Sequence, residues 1–242
     1  MITEAIILSA GRGSRLLPIT ATRPKCLVDI GGQSLLSHQL KALENAGLEN
    51  VTVVTGYRHD QIEEAVSQCN RGMQVQVRFN PFWAVASSIG SVWAVRDRLH
   101  RPFVLLNGDT LFDAQIVAQA LRDAGEGVSL VVETLHEPAH DDMLATVQNA
   151  RVLAVAKDLD PSRATHRSLG LVLSAGGSDY RTALDAVIAK EYGVGAFHHA
   201  IIDRIAKEQG VSAIERVPGL WQEIDQPGDI SDWHAMHGRG NV

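Results

Sequence analysis

Four short strand-like runs, apolar or alternating and each running into a polar loop, constrain this 242-residue chain more than any other feature. They cover residues 5–8, 51–55, 75–79 and 103–106. Each is too short for a stable helix and rich in aliphatic side chains, which predicts a buried strand. Helical patterns lie between them. Leu36, Leu40 and Leu43 share a face between Ser34 and Gly47, and Gly47 is a natural stop. Ile62, Val66 and Cys69 line a second helix, where Asp60 with Glu63 three residues on has the form of a capping box. Val92, Val95 and Leu99 line a third, capped by Ser87 or Ser88. Strands and helices alternating this closely predict a parallel sheet with helices on both faces.

The second half of the chain has a different rhythm. Asp113 caps a helix that ends near Gly125, and residues 128–133 form a strand. Residues 143–147 and 152–157 read as a hairpin turning at Asn149-Ala150. A strand at 169–174, helices near 178–190 and 197–209, and a late strand at 212–217 follow. Pro227 stands where the first turn of a final helix begins. No linker, repeat or low-complexity segment interrupts the pattern, so residues 1–242 read as one continuous domain.

Charge and composition narrow the partners. The chain carries 28 carboxylates against 22 Lys and Arg, with no basic run or stripe, which opposes nucleic acid as the partner. A small anionic ligand needs only a few local cations. No run of about 18 apolar residues exists to cross a bilayer, so no membrane partner is expected. The opening Met1-Ile2-Thr3-Glu4 lacks the basic start of a signal peptide. Cys26 and Cys69 form no CxxC and no disulfide framework, so the expectation is a reduced, cytoplasmic protein with both thiols as small hydrophobes.

Ligands on such sheets lie past the carboxyl ends of the strands. After the first strand, Gly11, Gly13 and Arg15 offer unobstructed backbone amides and a cation, which suits a phosphate. No Gly-Lys-Ser/Thr follows, so this is no Walker A loop. Leu16 replaces the third glycine of a dinucleotide fingerprint and Pro18 blocks its immediate helix, which opposes a nicotinamide-dependent dehydrogenase. A tight turn with a surface arginine is the plainer reading. Lys25 follows a rigid proline and precedes apolar residues, so it points into a site or snorkels along the surface. Asp109 ends the fourth strand beside Gly108, and Asp113 as the better cap leaves it free. A carboxylate beside phosphates repels them unless a metal intervenes, and Mg²⁺ takes one or two carboxylates plus phosphate oxygens. Asp225 is the second candidate carboxylate, or else a cap on the last helix. His136 and His140 have helical ligand spacing, but Pro138 opposes a helix there. His198 and His199 are adjacent and face different ways on a helix. Zinc is therefore not expected, and no GxSxG elbow appears.

The motifs together carry a resemblance. AGRGSR with a Pro-Lys ten residues beyond Arg15, VVTGY at 53–57, NGD at 107–109 and EID at 223–225 resemble the nucleotidylyltransferase family. That family includes sugar-1-phosphate nucleotidylyltransferases and phosphocholine cytidylyltransferases. Phe79-Asn80 followed by Ser88, Ile89 and Ser91, then Asp142-Met143, residues 155–159, Leu169-Gly170 and residues 221–225, is most similar to the short bacterial phosphocholine cytidylyltransferases. The resemblance implies a three-layer α/β/α, Rossmann-like fold with a mixed, mostly parallel central sheet. Residues 1–112 would form a nucleotide-binding half and 113–242 an acceptor-binding half. It implies transfer of a nucleoside monophosphate, CMP from CTP, to a phosphorylated or phosphonylated small molecule such as phosphocholine, with release of pyrophosphate. Hexose 1-phosphates with UTP, dTTP or GTP are the near alternative, and a catalytically silent nucleotide-binding regulatory domain is a second.

By the same resemblance, Leu8, Ala10, Gly11, Gly13 and Arg15 hold the nucleotide, and Lys25 reaches the phosphate being transferred. Asp109 and Asp225 hold Mg²⁺, while Tyr57, Ser88 and Ser91 lie near the base or ribose. Lys157 meets the acceptor's phosphate, with His198, His199 and Trp221 around the acceptor. The chain departs from its relatives at Phe197-His198-His199, where phosphocholine enzymes often carry acidic and aromatic residues.

Overall fold

A computed structural model describes residues 1–69, 71–139, 141–177 and 179–237. The first half runs β1 (Glu4–Ser9), β2 (Asp29–Ile30), β3 (Gln33–Ser34), α1 (Leu35–Asn45), β4 (Asn50–Thr55), α2 (His59–Ser67), β5 (Gln74–Phe79), α3 (Ser88–Ala94), β6 (Phe103–Asn107) and β7 (Thr110–Phe112). The second runs α4 (Ala114–Asp123), β8 (Val128–Thr134), β9 (Leu144–Gln148), β10 (Arg151–Ala156), β11 (His166–Ser174), α5 (Asp179–Ile188), α6 (His199–Glu208), β12 (Val211–Glu215), β13 (Trp221–Glu223) and α7 (Pro227–His237).

One nine-stranded sheet crosses both halves in the order β5-β4-β1-β6-β11-β8-β12-β10-β9. Its first four strands are parallel, and β11 and β10 run against the other seven. The sheet is thus mixed but mostly of one direction. Side chains alternate across it, as period two requires. Ala5, Ile7, Val51 and Val53 face one helical layer with Leu36, Leu40 and Leu43 of α1, Ile62 of α2 and Ile116 of α4. Ile6, Val54 and Leu105 face the other with α3, α5 and α6. Three layers result.

Local details refine the sequence reading. Ser34 caps α1, its Oγ accepting from Ser37 N at 3.1 Å. Asp60 does not cap α2: the cap position is Arg58, at φ 49°, and Asp60 lies in the first turn, where its charge still favours the helix dipole. Asp113 holds the cap position of α4, but its Oδ2 accepts from Leu220 N at 2.8 Å instead of from the helix. Asn149 and Ala150 both have positive φ, the geometry of a two-residue hairpin turn, between paired Gln148 and Arg151. Ser178 and His140 lie outside the described residues. Cys26 is buried, which pushes its thiol up to about 12, and Cys69 is half-buried. No helix among the described residues is long and apolar enough to cross a membrane.

A short ribbon off the main sheet was not visible in the sequence pattern. Strand β13 pairs antiparallel with β7, setting Glu223 opposite Thr110. Beneath it, Leu16, Ile30, Leu35, Leu111 and Ile224 form a separate apolar cluster. Leu16 is fully buried there, which contributes about 2 kcal/mol and anchors the glycine loop.

Candidate active site

Three segments far apart in sequence meet past the ends of β1 and β6. Gly108 allows the first approach: its N–H donates to Leu8 O at 3.1 Å, and a Cβ there would lie 2.4 Å from Ser9 Oγ. Gln39, buried on α1, clamps the same turn by donating to Asn107 O at 2.8 Å and Thr110 O at 2.9 Å. The ribbon brings in the third segment, with Ile224 N donating to Asp109 O at 2.9 Å. Asp109 and Asp225 thereby face one another.

Lys25 stands between them. Its Nζ donates to Asp109 Oδ2 at 2.9 Å and to Asp225 Oδ1. Its side chain is 13% exposed, so it does not snorkel. Burial alone lowers the lysine pKa, but the two carboxylates outweigh it and hold the ammonium above its usual range. Gly13 makes the approach of this side chain possible: at φ 68°, it lies where a Cβ would come within 2.8 Å of Lys25 Cβ. Asp225 is no helix cap, since Asp229 Oδ2 accepts from Asp225 N and Gln226 N instead.

The charge chain continues outward. Arg15 donates to Asp225 Oδ2 at 2.8 Å and to Asp141 Oδ2 at 2.7 Å. Lys157, just past β10, donates to Asp141 Oδ1 at 2.9 Å, and its Nζ lies 5.7 Å from the Phe197 ring centre. Asp141 thus links the cation expected at the nucleotide to the cation expected at the acceptor.

These residues edge a cleft of about 460 Å³, within the range of small-ligand sites. Leu8, Ala10, Gly11, Arg15, Ser88, Ser91, Asp109, Lys157, His198, His199, Trp221 and Asp225 line it. Gly13, Lys25 and Tyr57 are not among its lining residues. Lys25 touches the cleft's carboxylates from behind. Tyr57 braces the loop instead, its hydroxyl donating to Ala21 O at 2.8 Å, with its ring 5.5 Å from that of Trp83. Ser88 Oγ accepts from His198 N at 2.9 Å, and Ser91 Oγ accepts from Asn80 at 3.2 Å. Trp221 stacks on Phe112 with ring centres 5.5 Å apart.

Trp83, Asp141 and Arg167 also line the cleft and were not singled out in the sequence, while Asp142 and Glu223 stood in the resembling segments without a role. Glu223 was in view within the EID run, and the Asp141-Asp142 doublet was the only local sign of the other carboxylates. Glu223 is exposed and lines the cleft. Even so, the protein packed round it, then Asp109 and Asp225, push its pKa up to about 7 against the pull of Lys25 and Arg167. Arg167 is held by Glu133, with its Nε donating at 2.7 Å, and reaches Asp142 at 3.5 Å. Arg216 donates to the other oxygen of Glu133. Burial pushes Glu133 up, but the two guanidiniums prevail and leave it below the usual carboxylate range.

His198 and His199 are buried, at 1% and 4% exposure. Burial pushes His198 down to about 4 despite Asp109, and burial with His198 alongside pushes His199 well below its usual value. Both rings are neutral near pH 7. They cannot serve as cations for an anionic acceptor, as positively charged histidines would.

The donor set fits a divalent cation. Among the described residues no cluster of three His, Cys, Asp or Glu side chains could hold a metal alone. Two hard carboxylates at the cleft match Mg²⁺, which draws its remaining oxygens from phosphates and water.

The family model for the MobA-like NTP transferase domain matches residues 5–170. The CMP-5'-(3-aminopropyl)phosphonate synthase of Streptomyces rubellomurinus is 27% identical over 236 residues, covering 93% of this chain and 37% of that protein. The mannose-1-phosphate guanyltransferase of Schizosaccharomyces pombe is 30% identical over 156 residues, 62% of this chain and 43% of that protein. The chain therefore spans less than half the length of either relative. The inositol-1-phosphate CTP transferase of T. maritima shares the fold at TM-score 0.79 and 20% identity, with 96% of each chain covered. So does the CTP:phosphocholine cytidylyltransferase of Streptococcus pneumoniae, at TM-score 0.79 and 19% identity, covering 98% of this chain and 99% of that one. On its sequence, this chain belongs to the MobA-like NTP transferase domain family.

Proposed function

We propose that the protein is a nucleotidylyltransferase that moves a nucleoside monophosphate, CMP from CTP, onto a phosphorylated or phosphonylated small molecule. The observation that carries this is Lys25 held between Asp109 and Asp225, with Arg15 on the second oxygen of Asp225. Those four groups meet at the cleft that Gly11 also lines, and cations beside a glycine loop suit a triphosphate. The similarity to the Streptomyces phosphonate synthase supports the choice of CMP.

The chemistry needs little from the protein beyond placement and charge. An acceptor phosphate or phosphonate oxygen, ionised near pH 7, forms a bond to the α-phosphorus. The bond between that phosphorus and the bridging oxygen to the β-phosphate breaks, and pyrophosphate leaves with the electron pair. No protein base is required. Lys25, behind the two carboxylates, offsets their charge beside the transferred phosphoryl group, with Arg15 on the donor side and Lys157 on the acceptor side. Bound at Asp109 and Asp225, Mg²⁺ would supply neutralisation of phosphate charge. Trp83, half-buried beside Tyr57 at the cleft edge, is a platform for the base.

The experiment is incubation with Mg²⁺, each NTP in turn and a panel of phosphate and phosphonate acceptors, following pyrophosphate. CTP with one acceptor class should support release, and Lys25→Ala or Asp109→Asn should lower kcat by about 10² or more. No release with any pair would sink the proposal. Guanylyl or uridylyl transfer to a hexose 1-phosphate is the second reading, favoured by the 30% identity to the yeast guanyltransferase. A preference for GTP or UTP would select it.

A further inference from the structure

Asp141 holds a place that substrate phosphates also need. It lies on the connection from β8 to β9, in the second half of the chain, and reaches Arg15 in the first. Its two oxygens are divided: Oδ2 accepts from Arg15 at 2.7 Å and Oδ1 from Lys157 at 2.9 Å. One carboxylate therefore bridges the donor-side cation and the acceptor-side cation of the cleft that all three residues line. The next residue anchors this arm. Asp142 N donates to Ala139 O at 3.1 Å, and Asp142 Oδ2 accepts from Ala139 N at 2.8 Å. Asp142 also takes Arg167 at 3.5 Å. Asp141 is thus presented to the cleft from a held turn.

The bridge stands in the way of both ligands. Each Nη of Arg15 already carries a carboxylate, Asp141 on Nη1 and Asp225 on Nη2. A phosphate gripped through two parallel N–H groups displaces one of them. The Asp225 side chain is 16% exposed and also holds Lys25, whereas Asp141 is 43% exposed, so Asp141 is the one that yields. At Lys157, an acceptor phosphate brings negative charge against the same carboxylate and repels it. We propose that Asp141 is a positioning residue that takes the phosphates' place in the empty cleft and, by leaving Arg15 and Lys157 together, couples nucleotide binding to acceptor binding. The proposal rests on the nucleotidyl-transfer reading above for the identity of the two ligands. Once a ligand's charge stands at either cation, the carboxylate is repelled from the whole bridge. The first ligand bears that loss, and the second finds its cation released. Coupling of this kind is positive and reciprocal. Two half-exposed ion pairs set its size at about fivefold.

Calorimetric titration with Mg²⁺ at constant ionic strength tests this without turnover. The nucleotide probe is α,β-methylene-CTP, whose α–β bridge is not broken, and the acceptor probe is methylphosphonate. In wild type, saturating methylphosphonate should lower the Kd of the nucleotide probe about fivefold. Asp141→Asn keeps the shape and removes the charge. The nucleotide probe alone should bind this variant about fivefold tighter than wild type, and methylphosphonate should add nothing further. Asp141→Ala gives the same readout should the asparagine disturb the turn. Absence of coupling in wild type, or a variant with wild-type affinity, overturns the proposal and leaves the transfer reading intact. So does a variant that binds tighter yet keeps the wild-type coupling, since loss of a negative charge anywhere near the cleft would do that. If the nucleotide probe does not bind wild type, the transfer reading falls, and inorganic pyrophosphate decides the rest. It should bind Asp141→Asn about fivefold tighter than wild type. Equal binding, or none, overturns the proposal.

Discussion

Replacing Lys25 by Met keeps the buried stem and deletes the ammonium between Asp109 and Asp225. Removing one partner of a buried ion pair costs about 3–5 kcal/mol. Here the lysine is 13% exposed, Asp225 16% and Asp109 30%, so the Asp109 arm is partly screened by solvent. With that discount the cost is about 2 kcal/mol. For a chain of this size, Tm should fall by about 6 °C. The two carboxylates, together with Glu223, then form an anionic cluster offset mainly by Arg15 on Asp225 Oδ2. If Asp109 and Asp225 are a cation site, Mg²⁺ at a hundred times its Kd restores about 2.7 kcal/mol to the variant. Wild type gains less, because its ammonium already neutralises the pair. Thermal unfolding of both proteins, with and without MgCl₂ at constant ionic strength, reads the difference. A variant as stable as wild type without metal, or an equal Mg²⁺ response in the two, would refute the reasoning.

Other outcomes follow from the same geometry. As pH falls, the unfolded chain protonates His198 near 6.5 while the folded one waits until about 4, so stability drops by about 2 kcal/mol between pH 7.5 and 5. Glu223, raised to about 7, acts in the opposite sense, so urea unfolding of wild type against His198→Gln should isolate the histidine effect as their difference. Arg15→Ala should raise the KM for the nucleoside triphosphate about tenfold, with Tm shifted by only about 1 °C, because half-exposed ion pairs add little stability. Steady-state kinetics and a melt on the same sample check both halves. Glu133→Gln should lower stability by about 2 kcal/mol in urea, because Arg167 and Arg216 lose their shared carboxylate.

The strands and their order of appearance were legible because each run is short, apolar or alternating, and bounded by turn residues. The hairpin at Asn149-Ala150 was legible for the same local reason, since the turn residues sit between two alternating runs. Asp60 was misjudged because a side chain can occupy a first turn as well as a cap, and the chain enters α2 through Arg58 in the left-handed region. Asp109 could be singled out because Asp113 competes for the cap. Its meeting with Asp225 depends on the β7–β13 ribbon, whose three-residue strands leave no periodic signal. Asp141 joins Arg15 and Lys157 only through tertiary contact, and the neighbouring Asp142 does not by itself announce it. The neutrality of His198 and His199 is a property of burial, which adjacent residue letters do not encode.

The central claim is transfer of the α-phosphorus, and isotope placement tests it most directly. CTP labelled at the α-phosphate in one sample and at the γ-phosphate in another is incubated with the protein, Mg²⁺ and the best acceptor. The α-label should appear in the acceptor conjugate and the γ-label in pyrophosphate, in equal amounts, with both signals lost in Lys25→Ala. A γ-label found on the acceptor, or an α-label that remains in free nucleotide while pyrophosphate forms, contradicts the account.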